Sequence, residues 1–343
     1  MINHNPITVL FIFEVRKELQ DYLLQELNEY PKIRLIFPET ANPEIFLKYA
    51  PEANIIIGWR PTKELLEASK NLSLFINPGV GVQHLIDLFR EMNKTQKITL
   101  VNGHGNTYFT AQHAVALLLS LTNKIIPHHN WMVEGQWRKG DTDAISIPLR
   151  DRRIGLLGYG AINTKVHQFL AGFDVTFHVL KRNWDRERVK NYPTPIEKYS
   201  INDLHNFLKA IDTLIVAIPL TSNTEGMISK NELELLGTKG LLVTVARGEI
   251  IDEESLYFAL KNKLIAGAAI DVWYNYQPKP DEQGRKYPAN YKFFELDNVI
   301  LSPHRGASPM NDLRRWNEVI ENISRLSRGE CEFLNVVNLE EEY

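Results

Sequence analysis

The chain has 343 residues and a formal net charge of −3, from 39 Lys and Arg against 42 Asp and Glu. This balance argues against an extended cationic surface for nucleic acid, although a local basic patch is left open. Hydrophobic residues make up 44% and charged residues 24% of the chain, which is typical of globular proteins and excludes a disordered chain.

Short apolar runs alternate with longer amphipathic stretches along the chain. The first run, Ile7–Phe13, is preceded by no Lys or Arg, and it predicts a buried strand rather than a signal peptide. Stretches such as Arg16–Tyr30 and Glu253–Lys261 predict helices, and this alternation predicts parallel sheets covered on both faces. Further strands are predicted at residues 33–37, 55–58, 74–77, 100–102, 153–157, 175–180, 213–217, 241–245, 265–270 and 299–302.

Two helices matter for the organisation of the chain. One is predicted to begin at the N-cap Thr110 and to run to Leu121. The other is predicted near the C-terminus, with Ser308 as N-cap, Pro309 as first helical residue and Gly329 just beyond its end. We expect its apolar stripe to pack on the N-terminal domain, so that the chain begins and ends in one domain. The stripe consists of Leu313, Trp316, Ile320, Ile323 and Leu326.

The segment 153–163 predicts a strand, a glycine turn and the start of a helix, with the dinucleotide-binding fingerprint in the turn. Gly158 would allow the tight turn, and Gly160 would let the backbone approach a pyrophosphate at the helix N-terminus. Asn163 stands at the third glycine position, which predicts a slightly wider helix–strand crossing; a purely structural turn is the alternative. The cofactor-binding residues predicted here are Gly158, Tyr159, Gly160, Ala161 and Ile162.

The end of the strand 175–180 carries basic residues. Lys181 and Arg182 stand where a carboxylate would bind the ribose 2′-hydroxyl of NAD, and the first acidic residue is Asp185. Two cations suit a 2′-phosphate, so the sequence predicts NADP in preference to NAD. The alternative is that both side chains are solvated loop charges.

Three polar side chains follow predicted buried strands in the second half of the chain. They are Arg247, Asp271 and His304, and each would lie at the carboxyl edge of the sheet, where α/β folds bind ligands. Arginine can clamp a carboxylate, histidine exchanges a proton near neutral pH, and an ionised aspartate can orient an amide such as nicotinamide. The three groups together predict a redox active site.

These motifs resemble those of the D-isomer-specific 2-hydroxyacid dehydrogenases over nearly the whole chain. The resemblance implies two doubly wound parallel-sheet domains, flavodoxin-like for substrate and Rossmann for cofactor, with the active site in the cleft between them. We place the substrate domain at 1–103 and 305–343, and the cofactor domain at 104–304. A homodimer built on the cofactor domain is also implied. The matching segments are 77–85, 111–113, 153–163, 218–228, 245–248, 267–272 and 302–304.

The resemblance also implies a role for each site residue. Arg247 would bind the substrate carboxylate and polarise its C2 carbonyl, and His304 would be general acid in reduction and general base in oxidation. Asp271 would position the nicotinamide carboxamide, while N–H groups near Val80 and Gly81 would hold the carboxylate. The implied reaction interconverts a small 2-oxo acid and its D-2-hydroxy acid, as glyoxylate and hydroxypyruvate reductases do. The implied cofactor channel consists of Ile218, Pro219, Thr224, Val245 and Ala246.

The sequence departs from the family at the partner of His304. Family members usually place Glu five residues after the aspartate matching Asp271, but Tyr276 stands here, followed by Gln277. Gln at this point makes the chain resemble formate dehydrogenases in part, so Tyr276 and Gln277 are both candidates for the site. Without a carboxylate partner the imidazolium lacks a charge that would raise its pKa. We therefore predict that reduction falls off at a lower pH than in Glu-bearing relatives.

Other residues and functions stay open. Arg60, after the strand 55–58, could line the substrate pocket or lie in a surface loop, and His113 is interpreted as a packing residue in its helix. One alternative function is a dinucleotide-sensing corepressor or scaffold with little turnover. The other is a dehydrogenase for formate or an inorganic oxyanion.

The expected cellular context follows from what the sequence lacks. Cys331 is the single cysteine and cannot form an internal disulfide, and no Cys and His cluster has the spacing of a zinc site. No run of about 18 apolar residues is present. We expect a cytoplasmic protein with no metal, no membrane span and no nucleic-acid partner.

Overall fold

The computed structural model describes residues 6–185 and 191–343, and this part of the chain forms two compact units. The first unit comprises the chain up to residue 106 together with 309–343, and the second comprises 107–308. Each unit contains one sheet of parallel strands. The domain limits inferred from the sequence, 103/104 and 304/305, remain a prediction.

The first unit is built on a five-stranded parallel sheet with the order β2-β1-β3-β4-β5. Alternate residues of its central strands enter opposite cores, because successive side chains of a strand point to opposite faces. Val9 and Phe11 pack in one core and Leu10 in the other. The strands are β1 (Ile7–Phe11), β2 (Ile33–Ile36), β3 (Ile55–Ile57), β4 (Leu74–Asn77) and β5 (Thr99–Asn102).

The helices of the first unit cover both faces of this sheet. Phe89 packs in the core that contains Leu10, whereas Leu23 and Ile323 pack in the core of Val9 and Phe11. The last helix therefore stabilises a sheet whose strands all come from the start of the chain. The helices are α1 (Lys17–Glu26), α2 (Pro43–Tyr49), α3 (Lys63–Ala68), α4 (Ile86–Met92) and, from the end of the chain, α12 (Asn317–Ser327).

The second unit is built on a seven-stranded parallel sheet with the order β12-β11-β10-β9-β6-β7-β8. The strand order reverses between β6 and β9, and such a switch point leaves a crevice outside the carboxyl ends of the strands. The strands are β6 (Arg153–Leu157), β7 (Thr176–Leu180), β8 (Ile196–Tyr199), β9 (Thr213–Val216), β10 (Leu241–Thr244), β11 (Gly267–Ile270) and β12 (Val299–Leu301).

Helices cover both faces of the second sheet as well. Val166 of one helix packs with Val179 and Ile215, whereas Phe207 of another packs with Leu214 on the opposite face. Both faces are apolar, as the continuous hydrophobic runs of the strands predict. The helices are α5 (Thr107–Thr122), α6 (Ile125–Val133), α7 (Gly140–Asp143), α8 (Ala161–Leu170), α9 (Leu204–Ala210), α10 (Lys230–Leu236) and α11 (Glu253–Lys261).

The structure corrects three local predictions. Strand β8 was not predicted, because its sequence, Ile-Glu-Lys-Tyr, is half polar and lies at the sheet edge. Helix α5 begins at Thr107, three residues before the predicted N-cap. The last helix does not begin at Ser308: Asp312 caps a 3₁₀ turn at Leu313–Trp316, and α12 follows. Gly329 lies beyond its end with φ +78°, as predicted.

The described residues also bear on membrane and metal binding. Within residues 6–185 and 191–343, every helix is too short or too polar to cross a membrane. In the same ranges, no three His, Cys, Asp or Glu side chains are grouped so that they could hold a metal ion.

Candidate active site

The glycine turn between β6 and α8 has the geometry of an anion site. Gly158 has φ +83°, and a Cβ atom there would lie 2.5 Å from Cγ2 of Ile218, so only glycine fits. Gly160 precedes α8, and a Cβ atom at this position would meet no described atom within 4 Å. The first N–H groups of α8 have no acceptor inside the helix, and no side chain caps them. The turn therefore fits a pyrophosphate.

Asn163 has a different role from the wider packing that the sequence predicts. Its side chain is fully buried, and Nδ2 donates hydrogen bonds to the carbonyl oxygens of Leu157 at 3.1 Å and Gly158 at 2.8 Å. The amide thus ties the glycine turn to the first turn of α8. A third glycine would pack closely but could not donate these bonds.

Tyr159, in the middle of the turn, points into the protein. Its side chain is buried, and its hydroxyl is 2.7 Å from Nδ1 of His167, whose Nε2 lies 2.8 Å from Oγ1 of Thr194. Burial lowers the pKa of His167 to about 4, so this imidazole is neutral at physiological pH. Burial likewise raises the pKa of Tyr159. Only the main chain of Tyr159 is left to face the turn.

The other residues predicted for the cofactor follow the ends of β7, β9, β10 and β11. Lys181 follows β7 and places Nζ 5.5 Å from the ring centre of Trp184, and Arg182 beside it is exposed. After β9, Oγ1 of Thr224 donates to the carbonyl oxygen of Pro219 at 2.7 Å. Val245 and Ala246 are buried beyond β10. These residues lie at one edge of the sheet, where the strand order reverses.

Arg247 follows β10 and is half-buried. Its Nη1 donates a 2.6 Å hydrogen bond to the carbonyl oxygen of Ala246. A Cβ atom on Gly248 would lie 2.5 Å from the backbone of Trp273, so close approach of the two segments requires this glycine. The approach brings Arg247 near the segment that begins at Asp271. Its positive charge adds to the effect of burial in lowering the pKa of His304, and it partly opposes the rise that burial causes in the pKa of Tyr276.

His304 is held by a phenol, that of Tyr276. Its Nδ1 lies 2.8 Å from the hydroxyl of Tyr276, and the N–H of Trp273 donates to that hydroxyl at 3.3 Å. Partial loss of hydration, followed by the charge of Arg247, lowers the pKa of His304, and Asp271 opposes the shift. Loss of hydration raises the pKa of Tyr276, which therefore stays neutral. Tyr276 is thus the partner of His304.

Gln277 does not take part in this arrangement. Its backbone N–H donates to Oδ1 of Asn275 at 2.9 Å, and no described residue is hydrogen-bonded to its side-chain amide. The structure brings together Arg247, Tyr276 and His304 but leaves Gln277 outside the group.

Asp271 anchors the loop that presents His304. One carboxylate oxygen accepts from Oγ of Ser302 at 2.5 Å and from the N–H of Arg305 at 2.7 Å, and the other accepts from the N–H of Gly306 at 2.8 Å. Burial alone would raise its pKa, but hydrogen bonds from His113, Ser302 and the backbone lower it. The carboxylate is therefore ionised. Its role toward nicotinamide remains a prediction.

His113 corrects the interpretation of this residue as packing alone. Its Nε2 lies 2.9 Å from Oγ of Ser302 and 3.2 Å from a carboxylate oxygen of Asp271. The imidazole thus joins helix α5 to the loop that carries His304. The 111–113 segment was among the matching motifs, but its partner Asp271 is 158 residues away and could not be read from the local sequence.

In the first unit, the loop after β4 is shaped by two buried amides. Nδ2 of Asn77 donates to the carbonyl oxygens of Gly79 at 2.5 Å and Gly81 at 3.2 Å, and Nδ2 of Asn102 donates to that of Val80 at 2.6 Å. The carbonyl groups of three successive residues therefore all accept hydrogen bonds from these two side-chain amides. No described backbone carbonyl accepts from the N–H groups of Val80 and Gly81. This arrangement suits an anion, and sequence reasoning missed both asparagines.

Arg60 follows β3 in the same unit. It is exposed and lines a small cavity with Ile12, Phe46 and Leu65. Nearby, Nε2 of His84 lies 2.6 Å from the carbonyl oxygen of Trp59. The structure thus places Arg60 at the carboxyl edge of its own sheet, and its contact with substrate remains a prediction.

Comparison with known proteins identifies the family. Residues 115–306 match the model of the D-isomer specific 2-hydroxyacid dehydrogenase NAD binding domain. The chain is 30% identical to a glyoxylate reductase of Thermofilum pendens, over 78% of this chain and 75% of that protein. It is also 30% identical to a D-3-phosphoglycerate dehydrogenase of Archaeoglobus fulgidus, over 86% of this chain but 53% of that longer protein.

Solved structures agree with this assignment. The NADPH-dependent glyoxylate/hydroxypyruvate reductase of Sinorhizobium meliloti, in complex with NADP and malonate, superposes with a TM-score of 0.72 at 25% identity and 98% coverage of both chains. The chain belongs to the D-isomer-specific 2-hydroxyacid dehydrogenases, NAD(P)-dependent oxidoreductases that interconvert 2-oxo acids and 2-hydroxy acids.

Proposed function

We propose that this protein is an NADP-preferring reductase of small 2-oxo acids, of the glyoxylate and hydroxypyruvate type, that forms the D-2-hydroxy acid. The single observation that supports it most is the grouping of Arg247 with a His304 whose Nδ1 is held by Tyr276. A dinucleotide sensor needs neither a guanidinium nor a titratable imidazole at this edge.

In this mechanism the chain binds and orients two partners and moves one proton. The N–H groups of Val80 and Gly81 bind the substrate carboxylate, and Arg247 binds the carboxylate and the C2 carbonyl oxygen. Nε2 of His304 donates a proton to that oxygen as C2 is reduced, and takes it back in oxidation. When bound, the nicotinamide dinucleotide supplies the hydride.

The cofactor would be held along the carboxyl edge of the second sheet. The first N–H groups of α8, at Ala161 and Ile162, would bind the pyrophosphate, and Lys181 and Arg182 would bind the 2′-phosphate of NADP. Ile218, Pro219, Thr224, Val245 and Ala246 would line the channel. One oxygen of Asp271 accepts a single described hydrogen bond, so it retains capacity for the nicotinamide amide.

A substrate panel tests the function. Initial rates would be measured with glyoxylate, hydroxypyruvate and bulkier 2-oxo acids, with NADPH and NADH in parallel, and with formate in the oxidative direction. We expect higher kcat/KM with NADPH and with the small 2-oxo acids. Tight NADPH binding without turnover on any substrate would support a sensor instead, and turnover of formate alone would support a formate dehydrogenase.

Replacement of Arg247 separates catalysis from cofactor binding. Arg247→Ala removes the group that binds the carboxylate and the developing negative charge, so kcat/KM should fall by about 10²–10³ or more. Arg247→Lys keeps the charge but loses the planar fork, and should recover only part of the rate. The dissociation constant of NADPH, measured by fluorescence, should stay within about twofold. If NADPH affinity and kcat/KM fell by the same factor, the role of Arg247 would be structural.

The Tyr276 partner predicts the pH dependence of reduction. The pKa of His304 is lowered below its usual 6.5, so the protonated donor and the reduction rate are lost as pH rises through a value below 6.5. Tyr276→Glu supplies an opposite charge, which should raise this pKa and move the descending limb of kcat/KM upward by about one unit or more. Tyr276→Phe is the uncharged control. If the descending limb of kcat/KM stayed at the same pH in Tyr276→Glu, the pairing of Tyr276 with His304 would be contradicted.

We also propose that the protein is a homodimer assembled through the cofactor domain. Helix α6 buries none of its residues within the described chain, and Val133 and Trp137 are 73% and 75% exposed. An apolar surface of this kind is typical of an interface. Light scattering after gel filtration should give twice the chain mass. Val133→Glu with Trp137→Glu should give a monomer, whereas Leu24→Glu should not; a monomeric wild type would contradict the proposal.

A cytoplasmic location is proposed as well. The lone Cys331 is exposed and free, which suits a reducing compartment.

A further inference from the structure

We infer that Lys198 binds the 2′-phosphate of NADP together with Lys181 and Arg182, and so determines cofactor selectivity. The inference depends on the proposed preference for NADP and names a residue outside the family motifs. Lys198 lies on β8, the strand that sequence analysis did not predict. Its assignment comes from the placement of its ammonium group.

Strand β8 extends the edge that holds the proposed cofactor site. It runs parallel to β7, with Lys198 opposite Val179, so the carboxyl ends of both strands lie at one edge. The N–H of Gly158 donates to the carbonyl oxygen of Leu180 at 2.9 Å, and that of Lys181 donates to Tyr199 at 3.1 Å. The glycine turn, the end of β7 and the end of β8 are thus joined in one continuous edge.

Lys198 also lies on the correct face of the sheet. Side chains two apart on a strand share a face, so Lys198 shares the face of Ile196. Ile196 packs on the core that contains Val166 of α8, the helix whose N-terminus is proposed to hold the pyrophosphate. A nucleotide that leaves this N-terminus across the end of β7 therefore runs toward Lys198.

Aromatic rings connect the glycine turn to the lysine. The ring of Tyr159 lies 5.6 Å from that of Tyr192, and Nζ of Lys198 lies 5.3 Å from the Tyr192 ring centre and 4.7 Å from that of Trp184. Trp184 is itself fixed, because Nε1 donates to the carbonyl oxygen of Tyr199 at 2.9 Å. Lys198 is consequently oriented by two rings, those of Tyr192 and Trp184, that lie close to the glycine turn and the end of β8.

Two ammonium groups share the ring of Trp184. Nζ of Lys181 lies 5.5 Å from its centre, and Nζ of Lys198 lies 4.7 Å from it. Each cation–π contact is favourable, and the shared ring places both ammonium groups near the ends of β7 and β8. A phosphate near −2 charge would accept hydrogen bonds from both groups. The ribose hydroxyl of NAD carries no such charge, so Lys198 should act on selectivity rather than on the hydride step.

The test is direct binding of two cofactor fragments. Adenosine 2′,5′-bisphosphate carries the 2′-phosphate and AMP lacks it, and both would be titrated calorimetrically into the full-length protein. Lys198→Met keeps the length of the side chain and removes its charge. We expect its affinity for the bisphosphate to fall about tenfold and its affinity for AMP to change less than about twofold. The NADPH to NADH ratio of kcat/KM should fall in parallel.

Control variants make the outcome specific. Lys209→Met, at an exposed position of α9, removes a positive charge from the same unit and should leave both affinities unchanged. Lys198→Arg keeps the charge and should retain most of the bisphosphate affinity. If Lys198→Met weakened AMP as much as the bisphosphate, its role would be structural and the inference overturned.

The inference and the proposed cofactor preference can fail separately. If Lys181→Met with Arg182→Met abolishes discrimination between the fragments while Lys198→Met keeps it, NADP preference stands and the role of Lys198 is refuted. If the wild-type protein binds both fragments equally, the preference itself is wrong, and the inference fails with it. A loss in the three-site variant that differs from the sum of the separate losses would support one shared phosphate site.

Discussion

The buried carboxylate of Asp271 organises the segment on which the active site depends. A charged group can be buried only if hydrogen bonds compensate for its lost hydration, and this one accepts bonds from Ser302, His113 and two backbone N–H groups of the 305–306 segment. The loop is therefore folded around an anion. His304, within it, has φ +56°, a conformation that non-glycine residues adopt only where the surroundings impose it.

Once His304 is fixed in this way, its chemistry depends on what faces Nδ1. A carboxylate there would favour the imidazolium, whereas the hydroxyl of Tyr276 is neutral and already accepts from Trp273. In that orientation the hydroxyl proton of Tyr276 is directed to Nδ1 of His304. This hydrogen bond favours the neutral imidazole that carries its hydrogen on Nε2. Arg247 adds a like charge and acts in the same direction. In the proposed mechanism, His304 would therefore be a stronger proton donor that serves reduction over a narrower pH range.

Sequence patterns predicted the fold and the main site residues because both depend on local rules. Buried parallel strands appear as apolar runs, and polar residues after them lie at the ligand-binding edge, which located Arg247, Asp271 and His304. The same rule applies to Asn77 and Asn102, which end β4 and β5, but their bonds to a loop carbonyl depend on tertiary contacts. Strand β8 escaped detection because edge strands need not be apolar. The partnership of His113 with Asp271 joins residues 158 positions apart, beyond any local pattern.

The net charge of the whole chain does not reveal the local electrostatic potential at one edge of a sheet. A net charge of −3 gives no sign of an anion site, yet aromatic rings collect the ammonium groups of Lys181 and Lys198 at one sheet edge. Interactions between exposed charges decay within about 8–10 Å in physiological salt, so the overall balance has little influence there. Under the proposed NADP preference, selectivity for the phosphate depends on which strand ends lie side by side. A half-polar edge strand such as β8 would then contribute to cofactor choice.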